Sequence, residues 1–434
     1  AQDNTVDGYL KKGQAMENVG SWDEALRAYD KAIEMNQSCP EAWLGKAAVL
    51  SRMERYNEAL PAYDRAFESH ASDEQRLYDY PYLWYSKGCA LEKLGREEEA
   101  SEAYNKSIED ADKIIAIIKS GGKFYMNLSE AWREKGQLLD ELGRYDEALD
   151  ALKNATQIVP EYALAWKTKG EILSYDLGRY EESIDAYDRA LQLDPTGPGA
   201  WTGKGDALRS IGRNSEALQA YNHALDIDSS LIQAWSGKGA ALRMLGKNNE
   251  SVQAYDEEIK AIEQGPIVSS ASLDKADAWF GKAESLEGAD RGTEASEAYR
   301  QSILAYEKAI QIDPESAKAW AGKGDALLRM KRYNEPMQSY ENALEILNRS
   351  IEKNPEDVEA LWLKAESLDS LGRSEAALEA YDKVAALNES KAFGAWIRKS
   401  DILLMLGRYN DSLDAFDKAL NVLPTEDKQS TFSE

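Results

Sequence analysis

Residues 200–225 read AWTGKGDALRSIGRNSEALQAYNHAL, and residues 234–259 read AWSGKGAALRMLGKNNESVQAYDEEI. The second stretch is a near copy of the first, and the copying extends along the chain. Of the eleven Trp, nine open the same phrase: Trp43, Trp84, Trp132, Trp166, Trp201, Trp235, Trp279, Trp320 and Trp396. Tyr9 holds that place in the first copy and Leu361 in the tenth, with Trp362 beside it. Anchors at 9, 43, 84, 132, 166, 201, 235, 279, 320, 361 and 396 thus mark eleven units in 434 residues.

With the anchor numbered position 4, position 8 is always small, from Gly13, Ala47 and Gly88 through to Ser400. Position 24 is aromatic in ten units (Tyr29, Tyr63, Tyr104, Tyr187, Tyr221, Tyr255, Tyr299, Tyr340, Tyr381, Phe416), and Leu152 is the exception. A 4, 8, 11 spacing puts the anchor, the small residue and a Leu on one helical face. A missing side chain at position 8 lets a second helix approach, and its aromatic fills the space. Gly95, Gly143, Gly178, Gly212, Gly246, Gly372 and Gly407 follow the first helix, where a left-handed C-cap suits Gly. One such hairpin cannot bury its apolar face alone, but stacked neighbours can. The Trp and Tyr stripe therefore reads as core.

This pattern resembles the tetratricopeptide repeat (TPR), in the style seen in methanogenic archaea, and the match covers residues 7–424. The resemblance implies an all-α fold: an α-solenoid, a right-handed superhelix of eleven helix-turn-helix repeats. One continuous solenoid is expected over 1–434, ending in a short polar tail at 425–434. TPR proteins bind peptides through positions 2, 5, 9, 12 and 13 of their first helices, on the concave wall. Those that clamp a carboxylate use Lys at 5 and Asn at 9. Here position 9 carries no Asn, so that clamp is absent. Glu171, Asp206, Asp325, Glu366 and Asp401 form instead an acidic ladder, a candidate groove for a cationic or neutral peptide.

Five anchor spacings are 34 or 35, and the others are 41, 48, 44, 41 and 41. Excesses of seven or fourteen residues are two or four helical turns, which predicts lengthened second helices with their apolar face kept in register. Tyr299 with Tyr306, and Leu344 with Ile351, have that spacing. The run Ile114-Ile115-Ala116-Ile117-Ile118 before Lys119-Ser120-Gly121-Gly122 is far too short to span a membrane. It reads either as an apolar ridge for a partner or as packing on the adjacent helix. Gly265-Pro266 is a weak point, and Pro336 predicts a late start or a kink in its helix.

No phosphate loop, Ca²⁺ loop or nucleophile elbow is present. Two His (His70, His223) and two Cys (Cys39, Cys89) leave nothing for a metal or His-based site, so no enzyme activity and no cofactor are expected. Cys39 and Cys89 fall about nine residues apart in repeat register, roughly 13 Å of helical rise, which disfavours a disulfide. Position 7 is Lys in all eleven units (Lys12, Lys46, Lys87, Lys135, Lys169, Lys204, Lys238, Lys282, Lys323, Lys364, Lys399). Either it forms a basic ladder, or its stem packs between helices with its head among acids.

The chain carries 78 Asp and Glu against 52 Lys and Arg, a net charge of −26. That excludes nucleic acid and disfavours an anionic membrane surface. A start at Ala1-Gln2-Asp3-Asn4, without Met, is how a mature secreted chain looks after cleavage. Eight Asn open an N-x-Ser/Thr sequon: Asn36, Asn105, Asn127, Asn154, Asn249, Asn348, Asn388 and Asn410. Repeat copying accounts for part of that count, yet none occupies a core position, which suggests an N-glycosylated, extracellular protein. Repeat eleven reaches Pro424 with no polar capping helix after it. Trp396, Leu403, Leu413, Phe416 and Leu420 would then be open at one end and Tyr9 and Met16 at the other. Stacking of last repeat on first would propagate a filament through self-association. The alternative is a monomeric adaptor with a peptide partner in its groove.

Overall fold

The computed structural model describes residues 5–70, 80–121, 126–265, 271–330 and 335–422. Pro424 and the 425–434 tail lie outside the described residues, as do Gly122 and Pro266. Among the described residues there are twenty-two α-helices and no strand. The helices divide between two compact units, one of residues 1–172 with 192–195, the other of residues 173–191 with 196–434.

The first unit holds α1 (Val6–Asn18), α2 (Trp22–Met35), α3 (Pro40–Arg52), α4 (Tyr56–His70), α5 (Tyr80–Lys93), α6 (Glu97–Lys119), α7 (Leu128–Glu141), α8 (Tyr145–Ile158) and α9 (Ala163–Glu171). The second holds most of α10 (Tyr180–Leu193), then α11 (Pro198–Ser210), α12 (Asn214–Ile227), α13 (Ile232–Met244), α14 (Asn248–Gln264), α15 (Ala271–Gly288) and α16 (Gly292–Ile312). It continues with α17 (Ala317–Arg329), α18 (Glu335–Lys353), α19 (Val358–Ser370), α20 (Ser374–Leu387), α21 (Glu389–Met405) and α22 (Tyr409–Val422). Within each unit the first helix of a hairpin packs on its second, and the second packs on the first helix of the next hairpin. This is an α-solenoid of helical hairpins.

The hairpins turn where the chain leaves the first helix. Gly212, after α11, sits at φ 79°, a left-handed value that costs Gly nothing. Among the described residues two hairpins lack the Gly, and Glu54 and Asp290 take that conformation instead, each at φ 58°. The second helix then opens on an Arg whose guanidinium grips an acid three residues on. Arg55 holds Glu58, Arg96 holds Glu99 and Arg213 holds Glu216, at 2.6–2.8 Å. These pairs are exposed and contribute little each. Their role is to close the first turn.

The core repeats with the hairpins. The ring at position 24 is enclosed by position 8 of its own hairpin and position 6 of the next. Tyr29 faces Gly13 and Gly45, Tyr221 faces Gly205 and Gly237, and Tyr255 faces Gly239 and Gly281. Of the expected core stripe, the position-24 tyrosines are deeply buried except Tyr104, which is half-buried, and the nine anchor tryptophans are only half-buried. The physical reason lies at both ends of the indole. Its N–H donates to a carbonyl six residues upstream, as from Trp235 to Ser229 (2.9 Å), which holds one edge at the surface. The Lys three residues on covers a ring face, as Lys238 does over Trp235 at 4.8 Å.

The lengthened second helices are present in repeats three, eight and nine, whereas α4 of repeat two has 15 residues and residues 71–79 after it lie outside the described residues. Most second helices have 14 residues, whereas α6 has 23, α16 has 21 and α18 has 19. In α16 the added heptad makes Tyr306, rather than Tyr299, the ring that meets the next hairpin at Gly322. After hairpin seven the extra residues are shared between α14, with 17, and the next first helix, α15, with 18. The single extra residue of repeat five is taken up in a π turn at Ile172–Asp176. Ile114 and Ile115 are buried against Ala131, Leu128 and Trp132, so those two pack on the neighbouring helix and present no ridge. Pro336 is the second described residue of α18, and residues 331–334, where a late start would show, lie outside the described residues. Cys39 and Cys89 are both free thiols.

Candidate functional site

The first helices of the second unit adjoin one another, α11 with α13, α13 with α15 and onward, and form a continuous wall. The acidic ladder stands on this wall and is largely engaged by the protein itself. Asp206 accepts from Tyr221 (2.7 Å) and Tyr175 (3.0 Å), and Asp325 accepts from Tyr340 (2.5 Å). Burial pushes the Asp325 carboxyl up to about 6 in spite of that bond. Glu366 faces Arg398 at 3.6 Å, and Asp401 is exposed. In the first unit, Glu171 pairs with Lys167 at 2.5 Å.

Arginines on the same wall, which the position-9 reading passed over, balance the acids. Glu284 is gripped from both sides, by Arg243 at 3.2 Å and Arg329 at 3.1 Å. Between these ion pairs stand exposed apolar side chains: Tyr175, Met244, Leu328 and Met405. The wall is a mixed-charge surface with apolar gaps rather than an acidic trough. In the first unit the corresponding wall is tied together by Arg133, which donates to Tyr162 (3.1 Å) and Gln137 (3.0 Å) and grips Glu134. Tyr82 donates to Glu134 from the neighbouring first helix at 2.7 Å.

The ladder of position-7 lysines is structural at most junctions. Lys46 reaches Asp30, Lys87 reaches Asp64, Lys204 reaches Asp188 and Lys282 reaches Asp256, all at 2.5–2.7 Å and all on the preceding second helix. Each ammonium also lies over its own hairpin's Trp.

Of the expected self-association residues, Leu403 is buried within its own hairpin, and Tyr9, Met16, Trp396 and Leu420 are half-buried. Leu413 and Phe416 are open, and Leu404, Met405, Leu406 and Tyr409 of the same hairpin are open with them. The eight sequon asparagines lie at the surface: Asn36, Asn105, Asn127, Asn249, Asn348 and Asn410 are exposed, Asn154 and Asn388 half-exposed. The hydroxyl residue two places on is a different matter. Ser107, Ser129, Thr156, Ser251 and Ser412 are buried, and their hydroxyls bond to helix carbonyls or to another Ser. Much of the Asn-x-Ser pattern thus comes from small polar residues inside the hairpin.

Tetratricopeptide repeat models match residues 6–49, 81–109, 129–162, 172–232 and 370–430. The chain belongs to the tetratricopeptide repeat family. A model of a domain of unknown function also matches this TPR chain, over residues 301–395. No curated protein matches it significantly in sequence. Among solved structures it is similar to yeast Tom70, at 12% identity and a TM-score of 0.46, covering 99% of this chain and 94% of that one. Two MamA structures are similar at 18% and 19% identity, with TM-scores of 0.38 and 0.37. Each covers 43% of this chain, and 95% and 99% of its own.

As a TPR protein the chain is a protein-interaction scaffold. No helix among the described residues is long and apolar enough to cross a membrane. Two features of its TPR surfaces escaped sequence reasoning: the arginines at positions 12 and 13 that neutralise the ladder, and the tyrosines that cap it from behind. The tyrosines carried a signal, since a phenol buried among apolar residues must find an acceptor.

Proposed function

We propose that this TPR chain is a non-enzymatic extracellular scaffold, a single working array of eleven repeats, that assembles head to tail with copies of itself. The exposed apolar side chains of the α21–α22 hairpin carry this reading. Phe416 is 40% exposed, whereas eight of the nine tyrosines at the same position are 0–4% exposed and Tyr104 is half-buried. Full burial of such a side chain contributes about 1.5–3 kcal/mol, and Leu413 beside it adds to the incentive. Electron microscopy of the purified chain tests the reading: filaments or end-to-end oligomers support it, and isolated particles at high concentration refute it.

N-glycosylation is part of the same proposal, with Asn36 as its best-supported site. Asn36 and Ser38 are both exposed and lie in the turn between α2 and α3, outside any helix. Intact mass of the chain from its native source tests this, and a bare polypeptide overturns it.

A second reading, a peptide-binding adaptor, is favoured by the exposed Tyr175, Met244 and Leu328 on the first-helix wall. Its ligand would be an extended segment with apolar side chains spaced to those gaps and no strong charge of either sign. Loss of peptide capture in a Met244→Asp variant supports it, and unchanged capture rejects it.

A further inference from the structure

One junction inside the array lacks both partners that hold the position-7 Lys elsewhere, and a groove opens at that place. At seven junctions among the described residues this Lys pairs with an acid on the preceding second helix, at 2.5–2.8 Å. The acid stands at position 25, displaced only by inserted residues: one in Asp188, seven in Asp112 and Glu307. Wherever the anchor is Trp, the ammonium also lies over its indole, at 4.7–5.9 Å. Lys169 and Lys238 have Lys153 and Asn222 in the acid's register, but each keeps its Trp.

Lys364 of repeat ten has neither. The residue in the acid's register, seven places beyond position 25 of repeat nine, is Asn348, and the anchor is Leu361. Trp362 beside it packs within its own hairpin on Tyr381, with ring centroids 5.5 Å apart. Among the described residues the half-buried Lys364 forms no ion pair and lies over no ring.

With indole and carboxylate both missing, a groove of about 470 Å³ lies between α18, α19 and α20, a volume in the range of small-molecule sites. Buried Leu344, Leu361 and Leu368 line its floor, and Lys364 reaches it from α19. On the α18 side stand the amides of Gln338, Asn342 and Asn348, each able both to donate and to accept. The other charges are spent or lie outward. Arg373 grips Glu341, and at the exposed rim Glu345 and Glu379 outnumber Lys383. Those rim acids repel a polyanion, while the single unmatched cation within calls for one negative charge.

We propose that this groove binds a small hydroxylated monocarboxylate, of sugar-acid size, whose carboxylate pairs with Lys364 where Asp or Glu does so at other junctions. Its hydroxyls exchange hydrogen bonds with the amides of Asn342 and Asn348, and its carbon skeleton covers Leu361. The charge-assisted bond to Lys364 is the strongest of these contacts. None of the groove residues belongs to the acidic ladder or to the α21–α22 hairpin, so the site is separate from both readings of the chain's function.

The test is isothermal titration of the full chain, made in a host that attaches no N-glycans, with D-glucuronate, D-glucose and acetate as probes. Glucuronate binds. Glucose has the ring without the carboxylate and acetate the carboxylate without the ring, and each binds at least about tenfold more weakly. Lys364→Met keeps the stem and weakens glucuronate binding by about tenfold or more. Asn348→Asp has the same effect for a different reason, because it restores the internal acid and occupies Lys364. Lys204→Met, at another junction, leaves binding unchanged. Circular dichroism identical to wild type verifies that the variants are folded. Glucuronate binding that survives Lys364→Met and Asn348→Asp places the ligand elsewhere and overturns the site. Equal binding of glucose or of acetate overturns the ligand class, and no heat from millimolar glucuronate overturns the proposal outright.

Discussion

A Cβ added to Gly205 would stand 2.6 Å from Cε1 of Tyr221. No real Cβ sits that close to a ring, so residue 205 is small because the side chain at 221 is large. Tyr221 cannot yield, since Gly237 of the next hairpin closes on its other side and Asp206 holds its hydroxyl at 2.7 Å. One ring thereby couples two hairpins, and the arrangement recurs at Tyr29 and Tyr255.

Gly205→Ala should therefore destabilise the second unit by about 1–3 kcal/mol, the usual cost of overpacking a filled core. Urea denaturation followed by circular dichroism measures it. A midpoint equal to wild type would mean the ring has room to move.

Lys204 lies over Trp201 and pairs with Asp188, but both charged groups are partly in water. Lys204→Met keeps the stem and loses the charge, so it should cost about 1 kcal/mol or less. Lys204→Ala removes the stem too and should cost more. Equal melting temperatures for the two variants would contradict a packing role.

Glu258 on α14 is buried, one carboxylate oxygen has no partner, and desolvation pushes its carboxyl up to about 8, with Asp277 and Asp274 adding to the shift. The folded chain thus holds a proton that the unfolded chain releases near the ordinary Glu value of about 4.3. The stability this proton supplies is complete below that value and is lost as pH rises through about 8. Glu258→Gln should be more stable than wild type at pH near 8 by up to a few kcal/mol, with the gap closing near pH 4. Melting curves at the two pH values check it, and a gap that does not vary with pH would refute it.

In a host that attaches N-glycans, Asn36→Gln should remove the largest share of added mass. Asn105→Gln and Asn249→Gln should remove little, because Ser107 and Ser251 are buried and hydrogen-bonded once the hairpins close. Glycopeptide mapping decides between them. Heavy occupancy at Asn105 would mean modification before folding.

The repeat count, the helix pairing, the small-residue notch at position 8 and the left-handed turns were all legible in the chain. Each is a local rule copied many times, and copying raises it above the background of a single instance. Even the lengthened helices could be read, because a heptad preserves the face that must pack.

The surfaces were less legible. Position 9 spelled an acidic ladder, but the charge of a wall is the sum over neighbouring first helices, and Arg243 and Arg329 close on Glu284 from the hairpins before and after it. The eight sequons looked like an accessible set until Ser107, Ser129, Thr156, Ser251 and Ser412 proved to face inward. Sequence alone determined the solenoid, because its contacts lie between adjacent copies of one motif. Only tertiary structure decided which charges are matched, which hydroxyls are covered and which hairpin is open, because those depend on what a neighbouring hairpin places within a few ångströms.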